Sequence, residues 1–564
     1  MSSSYTPYPP PSTGLNERRR HALEDVDNAV FSWFHVRVCL VAGIGFFTDA
    51  YDLFAINIAA TMLGFVYGDP TTGQLGKSQD FGIKLTRGTA SPIGTFFGQL
   101  LFGWLADLVG RKRMYVSSTH ALQLCIIIVG TLGQAVSGEG PAASIVGVII
   151  MWRIIMGVGI GGDYPLSAVI SSEFAATRTR GRLMTAVFAS QGFGNLAASV
   201  IAVIVVAAFR KSILADSQDN HKHVDFCWRL LLGLGCVPGA IALYFRLTIP
   251  ETPRFTMDVE RNLLKATQDV DEFIKQTETY IVDPDAPMKR IQAPLATRRD
   301  FLQHFSRLEN AKILFAAAYS WFALDIAFYG LGLNSSVILE HVFLGPGGEL
   351  LDSTERTRSE NVYKILSGVS TGNVVLSIAG LIPGYWVAFF VIDRWGRKPI
   401  QLLGFGMLFI IFLIMGFAYH PILDHSPGVF MFLYCLANFF ENFGPNTTTF
   451  IVPGEAFPTR YRSTAHGICA ASGKFGAIIA QVAFNYLKDK GDGKGDNRDA
   501  RLDLILKIFA FFMLSGVFST LLLPETMGKS LEEISNENQH EFATYGAGAP
   551  SSAVRGPYLF VIRY

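Results

Sequence analysis

Trp321, Asp325 and Tyr329 stand four residues apart within one apolar stretch of the chain. On a helix that spacing aligns an indole N–H, a carboxylate and a phenol along one face. A bare carboxylate at the centre of a membrane segment costs roughly 2.5–3.5 kcal/mol on insertion scales, so it marks a ligand or ion path before it marks packing. Asp49 and Asp52 make a second acidic face, at i and i+3. Two carboxylates that close repel when both are ionised, which suits them to taking up a proton. Asn442 and Asn446 are amides at i and i+4 beside a Gly-Pro break, and Gln191 and Lys474 are polar groups in apolar surroundings. Glu441, His466 and His120 rank below these, since a neighbour can as readily satisfy each.

The elements that must position these groups are membrane helices. Of 564 residues 50% are hydrophobic and 16% charged, whereas soluble domains are about 25% charged. The formal net charge of +1 selects no acidic partner, and with no basic run interleaved with aromatics no nucleic-acid partner is expected. Cys39, Cys125, Cys227, Cys236, Cys435 and Cys469 lie singly in apolar stretches, as small hydrophobes rather than disulfides or metal ligands. The Ser/Pro/Tyr-rich start has no cleavable apolar core, so no signal peptide is expected. No nucleophile–base set or metal spacing appears, so neither an enzyme nor a cofactor is expected.

Apolar runs between charged breaks predict twelve spans, near 38–66, 88–108, 114–136, 144–174, 182–209, 227–249, 311–342, 366–392, 400–420, 428–456, 464–487 and 502–523. An internal repeat divides them into two sets of six. Asp107 in Gly103-WLADLVGRK recurs as Asp393 in Val391-IDRWGRK, 286 positions on, and Glu173…Arg178 recurs as Glu455…Arg460, 282 positions on. Pro250-Glu251-Thr252 recurs as Pro524-Glu525-Thr526. The predicted layout is a tail over 1–35, a six-helix bundle over 36–249, a linker over 250–310, a second bundle over 311–524 and a tail over 525–564. Arg18-Arg19-Arg20 and the basic linker lie on the motif side, which places that side and both termini in the cytoplasm under the positive-inside rule.

The fourth span, Arg153 to Glu173, carries Gly157-V-Gly159-I-Gly161-Gly162-Asp163-Tyr164-Pro165. Its G-x-G-x-x-G lies inside an apolar helix and not after a strand, so a nucleotide site is excluded. The glycines read instead as close helix packing, and Pro165 is expected to distort the helix.

The repeated motifs resemble the major facilitator superfamily, whose two six-helix halves are a known architecture. The resemblance implies an all-α membrane protein of twelve transmembrane helices in two pseudo-symmetric bundles. It also implies a cytoplasmic gate made by Asp107, Arg111, Glu173, Arg178, Asp393, Arg397, Glu455 and Arg460, paired in one state and separated in another. Gly161-GDYPLSAVISSEF, Trp321-FALDIAFYG and Asn442-FGPNTTTFIVPGE further resemble the fungal and plant high-affinity proton–phosphate symporters of the plasma membrane. That resemblance implies a phosphate site built by Tyr164, Gln191, Trp321, Asp325, Tyr329 and Asn446. It implies a proton route through Asp49, Asp52, Arg153, Asp163, Asp325 and Lys474. The expected partners are inorganic phosphate, protons and the lipid bilayer. A transporter of another substrate (a sugar, organic ion or glycerophosphodiester) and a phosphate-sensing receptor are the competing readings. Sugar sites are amide-rich without a central acid, so Asp325 speaks against a sugar.

Overall fold

The computed structural model describes residues 33–67, 88–109, 121–216, 222–246, 297–344, 355–489 and 502–535. Among them every ladder of backbone hydrogen bonds is helical, apart from one isolated bridge between Gly140 and Ala143. That is what a lipid solvent demands, because a helix satisfies its own peptide groups.

Ten helices are long and apolar enough to cross a membrane. Two of the twelve expected spans fall outside that count for identifiable reasons. The third is described only over Ala121–Ala135. The tenth is two helices, Pro427–Phe443 and Pro445–Ala456, parted at Gly444. Gly444 adopts φ −101° and ψ −112°, and Pro445 brings no N–H, so the helix stops and restarts there. The fourth span behaves otherwise: Ile145–Phe174 is one helix straight through Pro165. The Gly-Pro break expected in the tenth span is thus present, while the fourth helix continues through Pro165. Proline alone removes one ladder bond, whereas Gly-Pro removes it where the preceding backbone is also free to leave the helix. The eighth span begins at Glu355, about three turns before expected, and passes through a π turn at Ser377–Leu381 to end at Trp395.

The fourth-span glycines are where the backbone is needed bare. Gly161 lies against the second span, Ala90–Val109, so closely that a Cβ there would meet Gln99 N at 2.7 Å and Gly98 Cα at 2.8 Å. Across the two halves, a Cβ on Gly103 would meet Ser463 O at 2.7 Å and Gly467 Cα at 3.2 Å, which joins the second span to the eleventh, Arg462–Asp489. Outward faces carry large apolar side chains such as Phe97, Trp104, Phe417, Phe432, Phe475 and Phe511, as lipid contact requires. Inward faces carry the buried polar groups.

Candidate functional site

The seventh span, Leu308–Gly332, buries Trp321, Asp325 and Tyr329 together, as their spacing predicted. Lys474 of the eleventh span reaches Asp325, with Nζ 2.8 Å from Oδ2 and both side chains 2% exposed. The ammonium also lies over two rings, 4.4 Å from the centroid of Tyr329 and 5.0 Å from that of Tyr164. Its approach depends on Gly473, where a Cβ would meet Trp321 Cδ1 at 2.6 Å and Asp325 Oδ2 at 2.8 Å. Tyr164 comes from the fourth span and its ring centre is 6.4 Å from that of Trp321. The cluster therefore takes one wall from each half.

A polar wall adjoins it at the break in the tenth span. Asn446 Nδ2 donates to Tyr385 Oη at 2.9 Å and to Asn442 Oδ1 at 2.7 Å. Gln191 of the fifth span, Arg180–Ala208, is buried with no hydrogen-bond partner for its Nε2 among the described residues. The next residue, Gly192, packs against Leu381, Ile382 and Tyr385. Tyr385 belongs to this wall and was not among the expected residues, since a lone tyrosine in an apolar span carries no spacing signal.

The acids expected to handle protons separate into distinct surroundings. Asp52 Oδ2 accepts from Thr131 Oγ1 at 2.7 Å. Arg153 Nη1 donates to the Asp52 carbonyl at 3.3 Å and to Gln134 Oε1 at 3.2 Å, while its Nε and Nη2 have no hydrogen-bond partner among the described residues. Asp163 accepts from Gln123 of the third span. Asp49 is fully buried and interacts electrostatically with Tyr164 and Tyr329. So Asp49 interacts with the tyrosines of the central cluster, and Asp52, one helical turn on, faces Thr131 and Arg153.

At the motif end each half grips the other. Asp107 accepts from Ser463 N at 3.3 Å, Thr464 N at 2.6 Å and Thr464 Oγ1 at 2.7 Å, at the start of the eleventh span. Its repeat mate Asp393 accepts from Gly181 N at 3.1 Å and Arg182 N at 2.9 Å, at the start of the fifth. Both carboxylates thus cap the otherwise orphaned amides of a helix in the opposite half. Glu173 meets Arg462 at 3.0 Å, and Glu455 meets Arg397 at 2.8 Å. Arg397 also binds Asp393 at 3.0 Å. Glu525, from the repeated Pro-Glu-Thr, accepts from Arg397 N and Lys398 N, each at 3.0 Å, and leaves room only for glycine at position 396, where φ is +93°.

Two expected gate cations lie elsewhere. Arg178 is exposed. Arg460 pairs at 2.9 Å with Asp300 on a short helix, Arg298–Ser306, that docks at this end. Arg462 takes the place beside Glu173, and it could have been found, because Arg180 and Arg462 repeat at the same 282-residue offset as the glutamates. Arg111 lies outside the described residues. On the docked helix, burial and then Arg460 push the His304 imidazole down to about 4 and keep it neutral.

The opposite end is joined as well. The Asn57 side-chain amide lies 2.5 Å from Ser335 Oγ, which donates to Asn373 Oδ1 at 2.6 Å, and Ser336 Oγ donates to Asn57 O at 3.0 Å. Phe54 stacks on Tyr329 with centroids 6.3 Å apart. With both ends in contact, the central cluster is enclosed between the halves.

Residues 38–537 match the family model described as sugar (and other) transporter. The chain belongs to this transporter family. Among curated relatives of the transporter, the repressible high-affinity phosphate permease of Neurospora crassa is 47% identical over 535 residues, covering 93% of this chain and 90% of the relative. The inorganic phosphate transporter PHO84 of Saccharomyces cerevisiae is also 47% identical, over 93% of this chain and 88% of the relative. A solved structure titled as the MFS (major facilitator superfamily) proton:xylose symporter XylE superposes with TM-score 0.63 at 17% identity, covering 89% of this chain and 98% of that one. A second, titled as the partially occluded inward open XylE from E. coli, gives TM-score 0.61 at 18% identity, covering 88% of this chain and 100% of that one. The transporter thus has the all-α, two-bundle major facilitator fold that its sequence motifs predicted.

Proposed function

We propose that this transporter imports inorganic phosphate together with protons across the plasma membrane, by alternating exposure of the enclosed site to either side. The observation that carries the reading is the buried Asp325–Lys474 pair, walled by Tyr164, Trp321 and Tyr329 at the junction of the halves. The names of relatives at 47% identity supply the substrate. The motif end is then cytoplasmic, with bundles over 36–249 and 311–524, the linker over 250–310 and both tails on that side.

The chemistry fits monobasic phosphate. Lys474 supplies the cation for its P–O⁻ groups, and Asp325 accepts its P–OH, a donor that sulfate lacks. Gln191 and Asn446 offer amide donors to the remaining oxygens. Without substrate Asp325 and Lys474 satisfy each other. A proton on Asp325 releases the ammonium to the incoming anion, so loading the site and taking up a proton become one event. Asp49 borders the cluster, and Asp52, Arg153 and Asp163 line a route through the first half to it. One proton with one monobasic phosphate moves no net charge, and each further proton draws on the membrane potential, about 2.3 kcal/mol per 100 mV. Several buried acids make transport electrogenic on this reading.

Uptake of labelled phosphate into proteoliposomes with an alkaline lumen, competed by arsenate and by sulfate, tests the proposal. Arsenate should compete and sulfate should not, and Asp325→Asn should lose accumulation against a gradient. Equal competition by sulfate, or wild-type accumulation by Asp325→Asn, overturns it.

A further inference from the structure

Between the central cluster and the motif end lies a layer of rings. Phe188 stands between Gly181 and Gln191 on the fifth span, and Phe450 between Asn446 and Glu455 on the tenth. Phe450 stacks on Phe188 with centroids 4.4 Å apart and meets Phe46 of the first span edge-on at 5.4 Å, so the layer joins the halves. His466 of the eleventh span belongs to it. Fully buried, it sets its ring edge-on to Phe450 at 5.5 Å and to Trp321, a wall of the cluster, at 5.4 Å. Its Nε2 lies 3.1 Å from Phe450 O. A carbonyl only accepts, so the ring N–H sits at Nε2 and Nδ1 keeps a bare lone pair. That atom has no hydrogen-bond partner among the described residues.

The eleventh helix carries Arg462, His466 and Lys474 along one i, i+4 ridge, with the small, buried Ala470 in the remaining place. At the helical rise, His466 is about 12 Å along the axis from Lys474 and about 6 Å from Arg462. The ridge thus runs from the cation of the central cluster to the cation that holds Glu173 at the motif end. We infer that His466 is a second, inner binding site for phosphate, holding the anion as it passes from Lys474 to the motif end; this rests on the phosphate-import reading above. A buried acceptor without a donor costs the resting protein stability, and monobasic phosphate brings the donor it lacks, a P–OH. When Asp325 gives up its proton it reclaims Lys474, and the anion is displaced. As the ring layer parts, His466 Nδ1 accepts the P–OH, and Arg462, released from Glu173, faces the P–O⁻ groups. The hydrogen stays on the phosphate in this step. Sulfate has no such hydrogen to give and finds no hold on the imidazole.

The test measures binding of labelled inorganic phosphate to the full chain, locked by a disulfide in either of two forms. Cysteines replacing Asn57 and Ser335 close the far end and leave the motif end free to part. Cysteines replacing Asp107 and Thr464, whose side chains meet at 2.7 Å, close the motif end. In the first form His466→Phe, which keeps the ring contacts and removes both nitrogens, should weaken phosphate binding about tenfold, as loss of one hydrogen bond to an anion implies. In the second form the ring layer stays shut, and binding should change by less than about twofold. His466→Asn keeps an acceptor at the Nδ1 position and should restore binding in the first form. Sulfate should bind the first form equally with and without His466. Equal weakening of phosphate in both forms marks His466 as a mere support for Trp321 and overturns the inference, as does weakening in neither. Should His466→Phe fail to fold, His466→Gln decides. Its amide can donate to Phe450 O as Nε2 does but leaves no acceptor at the Nδ1 position, so the same loss confined to the first form is expected, and its absence overturns the inference. Phosphate binding in neither form with His466 in place refutes the phosphate reading itself.

Discussion

Asp325 and Lys474 are each costly alone in the membrane and cheap together. Truncating one partner of a buried ion pair typically costs about 3–5 kcal/mol, since the other charge stays behind without compensation. Lys474→Met should therefore lower thermal stability and abolish uptake, whereas Lys474→Met with Asp325→Asn should regain most of the stability and none of the transport. A double-mutant cycle read by melting temperature and by uptake in parallel checks this. Equal melting of the single and double variants would mean that the pair is not coupled in the folded protein. The same two residues mark the limit of what spacing discloses. Trp321, Asp325 and Tyr329 were legible because one helix sets their common face. The partnership of Asp325 with Lys474 was not, because the two lie 149 residues apart and only the packing of the seventh span on the eleventh brings them together. Gln123 beside Asp163 and Thr131 beside Asp52 were hidden for the same reason.

Helix ends carry the next level of organisation. The repeated motifs announced a gate, and the structure makes three of their acids caps: Asp107, Asp393 and Glu525 receive backbone amides at the start of a helix, while Glu173 and Glu455 pair with arginines. The choice of cation was misread because Arg178 and Arg460 are the conspicuous basic residues after the glutamates, while Arg180 and Arg462 lie two residues further on. Arg462→Gln should loosen the motif end and raise the labelling rate of a cysteine placed near Glu173, and Arg178→Gln should leave it unchanged. Comparable labelling in the two variants would contradict the assignment. Span number and order were readable from apolar runs, and the Gly-Pro break in the tenth span from composition.

At the scale of the whole molecule, two bundles touch at both ends around an enclosed centre, and the alternating exposure proposed above requires one end to part while the other holds. Cysteines replacing Asn57 and Ser335, whose side chains lie 2.5 Å apart, should crosslink on oxidation and stop both net uptake and counterflow, with recovery on reduction. Continued counterflow in the crosslinked protein would show that this end need not open. The motif end carries its own consequence. Asp107 holds a helix of the second half and Asp393 a helix of the first, so neither half can slacken its own fastening, and the two must fail together for water to enter. For a carrier driven by a proton gradient, as proposed above, a short circuit is ruinous, and a crosswise pair of modest straps keeps the leak small while leaving each strap weak enough to release on every turnover.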